Sequence, residues 1–258
     1  MKSLWNSFKI AFSMFSKIPM PQAEWTEENM KYMFVWFPWI GAVIGGVTML
    51  VAYVGNYFGF RSEFINIILM LIPIFVTGGI HVDGLLDTAD AMSSWQERKR
   101  RLEILKDSHA GAFAVITAGI YFLLLYAGYS QIDGNFQILL LVSMGFMVSR
   151  SFSGIGVLTL PKAKEDGTVA EFSRKSSEKR VKNVLLVYLL LLAAGMLYVD
   201  VVLGIAAIVT AGLVFFYYRH FALKNFGGTT GDLSGFFLCL CEASIVLVLA
   251  VVSNFVGV

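Results

Sequence analysis

The chain reads Val184-Leu-Leu-Val-Tyr-Leu-Leu-Leu-Leu-Ala-Ala-Gly-Met-Leu-Tyr-Val-Asp200 and continues Val201-Val-Leu-Gly-Ile-Ala-Ala-Ile-Val-Thr-Ala-Gly-Leu-Val-Phe-Phe-Tyr-Tyr-Arg219. A membrane-spanning helix needs about 20 apolar residues, so this stretch is too long for one span. Asp200 is the only charged residue before Arg219 and divides the stretch near its middle. The stretch therefore predicts a tight hairpin of two membrane helices.

The composition of the whole chain agrees with a membrane protein. Hydrophobic residues make up 57% of the 258 residues and charged residues 15%, and the mean hydropathy is +0.71. Soluble domains have about 45–50% apolar and about 25% charged residues. These values exclude a disordered protein, a coiled coil and an ordinary cytosolic enzyme. The net charge of +2 gives no reason to expect a nucleic-acid partner.

Seven apolar segments are close to the length of a membrane span: 36–58, 64–80, 113–129, 136–160, 184–199, 201–218 and 233–256. Eighteen of the twenty Lys and Arg residues fall outside them on one side, Arg61 falls on the other, and Arg150 lies inside a span. Basic residues concentrate in cytoplasmic segments. We therefore predict one all-α, multi-pass domain over residues 1–258 with about seven membrane helices and a cytoplasmic N-terminus.

An N-terminal helix and three further segments lie outside the predicted spans. Residues 3–18 carry Trp5, Phe8, Phe12 and Phe15 at helical spacing, which predicts a helix lying on the inner membrane face. A helix packed against the bundle is the alternative. Segments at about 81–112, 161–183 and 219–232 are predicted to be cytoplasmic loops.

Three aspartates follow the second predicted span. If the segment is helical, Asp83, Asp87 and Asp90 share one face, because they are spaced i, i+4, i+7. Like charges at this spacing repel each other. A divalent cation would remove the repulsion, and ligands that are all oxygen atoms suit Mg²⁺, which also binds substrate phosphates. A solvated acidic face is the alternative.

Further polar residues stand near the predicted cytoplasmic ends of the spans. Asp107 could be another metal ligand or a general base, and the neighbouring Lys106 could hold a phosphate. Lys162 and Lys164 could contact an anionic substrate. Solvated charged segments are the alternative for all four.

A glycine-rich segment precedes the last span and reads Gly227-Gly-Thr-Thr-Gly-Asp232. Backbone N–H groups at such a helix start can bind phosphate, and Asp232 could instead be the N-cap.

Two charged residues lie inside predicted spans. Arg150 and Glu242 each stand about ten residues from the cytoplasmic end of their span, so we predict that they pair. The pair could contact substrate or only order the bundle.

These features point to phosphoryl or nucleotidyl transfer at a cytoplasm-facing site. A cation transporter is the alternative from another functional class, but transporters usually place their acidic residues near the bilayer midplane. Here the aspartates follow a span.

The segment Gly78-Gly-Ile-His-Val-Asp-Gly-Leu-Leu-Asp-Thr-Ala-Asp90 resembles the signature of the cobalamin synthase family, the adenosylcobinamide-GDP ribazoletransferases. Further stretches resemble the same family in the same order: residues 15–21, 37–41, 102–108 with Gly111, 149–150, 161–167, and 228–232 with Gly235 and Glu242. The resemblance covers nearly the whole chain. The aspartate pattern is also similar to that of CDP-alcohol phosphotransferases.

The resemblance implies a bacterial inner-membrane enzyme with a cytoplasmic active site. It would join adenosylcobinamide-GDP to α-ribazole or its 5′-phosphate and release GMP, with Mg²⁺ on Asp83, Asp87 and Asp90. These three residues and Asp107 would be catalytic. The substrate-binding residues would be His81, Lys106, Ser108, Arg150, Lys162, Lys164, Gly228, Thr230, Gly231, Asp232 and Glu242. Whether the protein forms a homo-oligomer stays open.

Overall fold

The computed structural model describes residues 2–107, 109–163, 172, 174 and 176–257. These described residues form helices and no named strand, which confirms the all-α prediction. The helices are α1 (Lys2–Phe15), α2 (Glu27–Met30), α3 (Met33–Tyr57), α4 (Ser62–Thr77), α5 (Ile80–Ser93), α6 (Arg98–Ile104), α7 (Ala112–Ile132), α8 (Phe136–Thr159), α9 (Glu178–Val199), α10 (Val201–Phe226) and α11 (Gly231–Val256).

Six of the described helices are long and apolar enough to cross a membrane: α3, α7, α8, α9, α10 and α11. Helices α4 and α5 pass the same test only together, and their axes are bent by 95°. By length and composition, the described residues thus contain six candidate spans, or seven if the bent pair of α4 and α5 counts as one, where the sequence predicted about seven. The predicted hairpin at Asp200 is confirmed, because α9 ends at Val199 and α10 begins at Val201.

Helix α4 connects the two ends of the bundle. At its start, a turn in which Phe60 N–H donates to Gly55 O at 2.9 Å joins it to the end of α3. At its other end, Val76 O accepts the Lys17 N–H at 2.8 Å, and Lys17 follows α1, which packs on the beginning of α3. Helix α4 therefore crosses the bundle, and α5 turns across the end where most basic residues lie.

Helices α8 and α11 form the centre of the bundle. In their most apolar windows 72% and 61% of the residues are buried, against 17% and 28% in α9 and α10. Exposed apolar side chains on α9 and α10 include Leu190, Leu191, Leu213 and Phe216. Large exposed apolar surfaces are unfavourable in water but stable against lipid tails, so this distribution is typical of two helices that face lipid.

Small residues let α3 and α8 approach closely. A Cβ added at Gly41 would lie 2.3 Å from the Phe146 carbonyl oxygen, so no larger residue fits there. One turn later, the Ser143 hydroxyl donates to Gly45 O at 3.2 Å. Glycines at helix contacts and hydroxyl bonds across them are the usual means of packing helices in lipid.

Most aromatic side chains of helix α1 pack against the bundle. Phe8 contacts Trp36 with ring centroids 5.3 Å apart, Phe15 contacts Phe37 at 4.5 Å, and Phe12 is buried. Only Trp5 of the four predicted aromatics stays exposed. The aromatic face is thus mainly a packing surface, and the position of α1 on a membrane stays a prediction.

The segments predicted outside the spans are largely helical. Segment 81–112 contains most of α5 and all of α6. Helix α10 continues through Phe226, since its last turns are polar but contain no helix-breaking residue until Gly227, which ends the helix with φ 78°. Only residues 227–230 of segment 219–232 are irregular. Most of segment 161–183 before α9 lies outside the described residues.

Candidate active site

A glycine pair turns the chain from α4 into α5. Gly78 and Gly79 adopt φ values of 71° and 83°, a left-handed conformation that residues with a Cβ rarely adopt. The Gly78 N–H closes α4 by donating to Ile74 O at 2.7 Å. The predicted aspartate helix is confirmed, and the bend lays it across the end of the bundle.

Two further glycines bring α5 against the start of α11. A Cβ added at Gly84 would lie 2.5 Å from Asp232 O, and one added at Gly235 would lie 2.9 Å from His81 O. In both cases the added Cβ would clash with a backbone atom, which cannot avoid the clash by changing rotamer. The close contact joins the aspartate segment to the glycine-rich segment, which are about 150 residues apart in the sequence.

Residues 227–230 form a fixed loop before α11. Thr229 N–H donates to Pro161 O at 2.8 Å and Thr229 O accepts the Ala163 N–H at 3.0 Å, so the loop pairs with the residues that follow α8. The N-cap of α11 is Thr230, whose hydroxyl accepts the Leu233 N–H at 3.1 Å. Asp232, which the sequence suggested as a cap, instead lies in the first turn.

Four aspartates lie where α5 faces α11, near enough for the charges of three of them to act on the fourth. Burial, and then the charges of Asp83, Asp232 and Asp90, raise the pKa of Asp87 to about 7. Burial and the neighbouring charges therefore favour the protonated form of Asp87. Asp232, which sequence reasoning placed among the substrate-binding residues, belongs to this acidic cluster of Asp83, Asp87, Asp90 and Asp232.

The Asp90 carboxylate accepts two hydrogen bonds from the backbone at the start of α7. Its Oδ2 accepts the Gly111 N–H at 2.6 Å and its Oδ1 accepts the Ala114 N–H at 2.9 Å. A carboxylate at a helix N-terminus is stabilised both by these bonds and by the helix dipole. Each oxygen retains a further lone pair, so Asp90 can still approach a cation.

The acidic cluster fits a hard divalent cation in its chemistry. All its donors are carboxylate oxygens, which Mg²⁺ prefers, and a cation would relieve the repulsion that raises the Asp87 pKa. Among the described residues, no group of three or more His, Cys, Asp or Glu side chains is arranged to hold a metal ion. Since Mg²⁺ usually completes its shell with water and substrate phosphate, partial protein ligation is compatible with that ion. Joint binding by Asp83, Asp87 and Asp90 stays a prediction.

Asp107 lies in the turn between α6 and α7. Its Oδ1 contacts His109 Nδ1 at 2.7 Å and accepts the His109 N–H at 3.0 Å, and these bonds hold the pKa of Asp107 below its usual value. Asp107 and Lys106 are both exposed. Ser108 lies outside the described residues.

Lys162 is next to the loop of residues 227–230, but its ammonium group points at the end of α8. It donates to Leu160 O at 2.7 Å and to Val157 O. Burial lowers the pKa of Lys162. In this arrangement the side chain caps a helix, and contact with a substrate would require it to leave those carbonyls. Lys164 lies outside the described residues.

Arg150 and Glu242 form the predicted pair. Arg150 Nη1 lies 2.7 Å from Glu242 Oε1, which also accepts the Ser149 hydroxyl at 2.9 Å. Arg150 is fully buried, and its Nε and Nη2 have no hydrogen-bond partner among the described residues. The pair joins α8 to α11 inside the bundle, behind the acidic cluster.

His81 links the ion pair to the site. Burial, and then the Arg150 guanidinium, lower the pKa of His81 well below its usual value, so the imidazole is neutral at pH 7. Its ring lies edge-on to Phe37, with the centroids 6.0 Å apart. His81 and Asp83 line a cavity of about 270 Å³.

Sequence reasoning missed the apolar wall of this cavity. Phe15, Phe34 and Phe37 line it from α1 and α3, and Phe172 lines it from the segment before α9. Phe15 and Phe37 both lie in stretches that resemble the cobalamin synthase family, and this resemblance is the sequence feature that could have identified them as site residues. Such aromatic residues are otherwise indistinguishable from core residues in an apolar chain.

Comparison with known proteins identifies the family. The family model described as cobalamin-5-phosphate synthase matches residues 7–250. The chain belongs to the cobalamin-5-phosphate synthase family.

Relatives within this family are similar over nearly their whole length. The chain is 45% identical to an adenosylcobinamide-GDP ribazoletransferase of Lachnoclostridium phytofermentans, over 92% of this chain and 90% of the relative. It is 31% identical to a protein of the same name from Clostridium botulinum, over 94% and 96%. No solved structure matches. The chain is thus a transferase of cobalamin biosynthesis with multiple membrane-spanning helices, as the resemblance had implied.

Proposed function

We propose that the chain transfers the adenosylcobinamide phosphate group of adenosylcobinamide-GDP to α-ribazole, or to its 5′-phosphate, and releases GMP. The named relatives support the reaction. The single observation that carries the chemistry is the acidic cluster, because its four carboxylates share one end of the bundle with a cavity and with most basic residues.

In this reaction a ribose hydroxyl of α-ribazole attacks the cobinamide-side phosphorus. The bond between that phosphorus and the bridging oxygen breaks, and GMP leaves with the electron pair. Asp83, Asp87 and Asp90 would hold Mg²⁺, and Asp232 would approach it from α11. When bound, the ion neutralises charge on the pyrophosphate and on the departing phosphate.

The attacking hydroxyl must lose a proton to a nearby base. Asp90 already accepts two backbone N–H groups from the start of α7, which fix the position of its carboxylate. Asp107 is exposed and contacts His109. Both residues lie in the turn that leads to Gly111, whose N–H donates to Asp90. Asp107 or Asp90 would accept the proton.

The site would face the cytoplasm of a bacterial cell. In the sequence, eighteen of the twenty basic residues fall on one side of the predicted spans, the side on which the α5 segment follows its span, and Arg61 falls on the other side. Cytoplasmic segments are enriched in Lys and Arg. Since the acidic cluster lies on this side and not inside the spans, it fits chemistry at the surface better than cation transport.

The test is GMP release by the purified, detergent-solubilised protein. Release should require adenosylcobinamide-GDP, α-ribazole and Mg²⁺ together. Asp83→Asn should reduce the rate by orders of magnitude and raise the Mg²⁺ concentration needed for residual activity. Asp133→Asn is the matched control, because Asp133 is exposed at the opposite end and Asn tolerates its left-handed backbone. Absence of GMP with both substrates and Mg²⁺ would refute the proposal.

A further inference from the structure

The cavity next to the acidic cluster lies between five helices. Its volume is about 270 Å³, close to the lower limit of about 300 Å³ for ligand pockets and many times the roughly 10–15 Å³ that one water needs. It is lined by side chains of α1, α3, α5, α8 and α11, and the lining residues that matter here are Phe15, Phe37, Asp83, Val157, Phe172 and Asp232.

The wall of the cavity is two-sided. Aromatic rings from α1 and α3 form one side, where Phe15 and Phe37 contact each other with centroids 4.5 Å apart. Asp83 and Asp232 stand on the other side, at the acidic cluster. A ligand that fills this cavity would have a flat apolar part among the rings and a polar part at the carboxylates.

We propose that this cavity binds the aromatic base of the acceptor nucleoside, the substituted benzimidazole ring of α-ribazole. The inference rests on the proposed function. With the base among the phenylalanines, the attached ribose would lie beside Asp83 and Asp232, where its hydroxyl meets the phosphate.

The other parts of the two substrates fit the cavity less well. The corrin macrocycle is far too large for a cavity of about 270 Å³. Guanine presents several donors and acceptors, and a wall made mostly of apolar side chains would leave them without partners, which is costly. Benzimidazole has a flat apolar body and few polar atoms, so it matches both the volume and the wall.

Competition kinetics on the unmodified protein test the inference. Free 5,6-dimethylbenzimidazole should inhibit GMP release competitively against α-ribazole and not against adenosylcobinamide-GDP. If GMP is released but the free base does not inhibit, or competes with adenosylcobinamide-GDP, the cavity assignment is overturned while the proposed function stands. If no GMP is released with both substrates and Mg²⁺, the proposed function fails first.

A substitution in the wall gives a second measurement. Val157→Phe narrows the cavity from the α8 side and should raise the KM for α-ribazole at least tenfold, with the KM for adenosylcobinamide-GDP unchanged. Val187→Phe is the matched control, since Val187 is about half exposed on the lipid-facing surface of α9. An unchanged KM for α-ribazole in a folded Val157→Phe protein would overturn the inference. If that variant does not fold, the competition experiment decides alone.

Discussion

The Asp90 carboxylate and the Gly111 N–H form a hydrogen bond of 2.6 Å between α5 and the start of α7. A Cβ added at Gly111 would lie 2.7 Å from the same carboxylate, so only glycine permits this approach. The bond fixes the aspartate helix to the start of α7, in addition to its contact with α11. Asp90 is therefore a positioning residue for the acidic cluster, whether or not it also contacts a cation.

Asp90→Asn should destabilise the protein. Asn has one acceptor oxygen, so one of the two backbone N–H groups loses its partner and the charge at the α7 N-terminus disappears. Hydrogen bonds to charged groups contribute about 1.5–3 kcal/mol. We therefore expect the free energy of unfolding to decrease by about 1.5–3 kcal/mol in the Asp90→Asn variant. Denaturant titration in detergent measures it. Asp83→Asn, at an exposed position, should change it by less than about 0.5 kcal/mol, and equal losses in both variants would contradict the positioning role.

Gly84→Ala should reduce activity by separating α5 from α11. The new methyl group would lie 2.5 Å from the Asp232 carbonyl oxygen, so the helices must move apart and the carboxylates with them. We expect at least a tenfold fall in kcat for GMP release. Gly46→Ala in α3 is the matched control, because a Cβ there meets nothing within 4 Å. Full activity of the Gly84 variant would show that the close contact is not needed.

Breaking the buried ion pair should be costly. Arg150→Met or Glu242→Gln leaves one charge unpaired inside the bundle, and removing one partner of a buried pair costs about 3–5 kcal/mol. The double variant should lose less than the sum of the singles, because no charge remains without its partner. Thermal and denaturant unfolding of the four proteins gives the coupling. The exposed Arg61–Glu63 pair, at 3.6 Å, is the control and should couple by under about 1 kcal/mol. Strict additivity at Arg150 and Glu242 would contradict the account.

The topology of α4 can be tested separately. If α4 crosses the membrane, the N-terminus is cytoplasmic and a reporter fused after residue 258 lies outside. If α4 and α5 instead formed a re-entrant segment, six spans would leave both termini on one side. Activity of paired cytoplasmic and periplasmic reporters at the C-terminus distinguishes the two. A cytoplasmic C-terminus would refute seven spans.

Much of this fold follows from local sequence signals. Spans were predictable because apolar length is set by membrane thickness, and the hairpin was predictable because Asp200 interrupts it. The shared face of Asp83, Asp87 and Asp90 followed from helical spacing. The pairing of Arg150 with Glu242 followed from their equal depth.

Other parts of the site depend on tertiary contacts that spacing does not encode. The bonds from Asp90 to α7 and from Lys162 to the end of α8 give both side chains structural partners that the sequence did not suggest. The cavity exists only because α1 folds back on α3, which places Phe15 next to Phe37. Aromatic residues occur throughout this apolar chain, so their pattern alone did not mark a binding wall.

Following the phosphorus tests the central claim most directly. The purified protein would receive α-ribazole, Mg²⁺ and adenosylcobinamide-GDP whose cobinamide-side phosphorus is ³²P. The account predicts that all transferred label links cobinamide and ribazole in one product, and that the released GMP is unlabelled. Labelled GDP, or labelled cobinamide phosphate without ribazole, would contradict it.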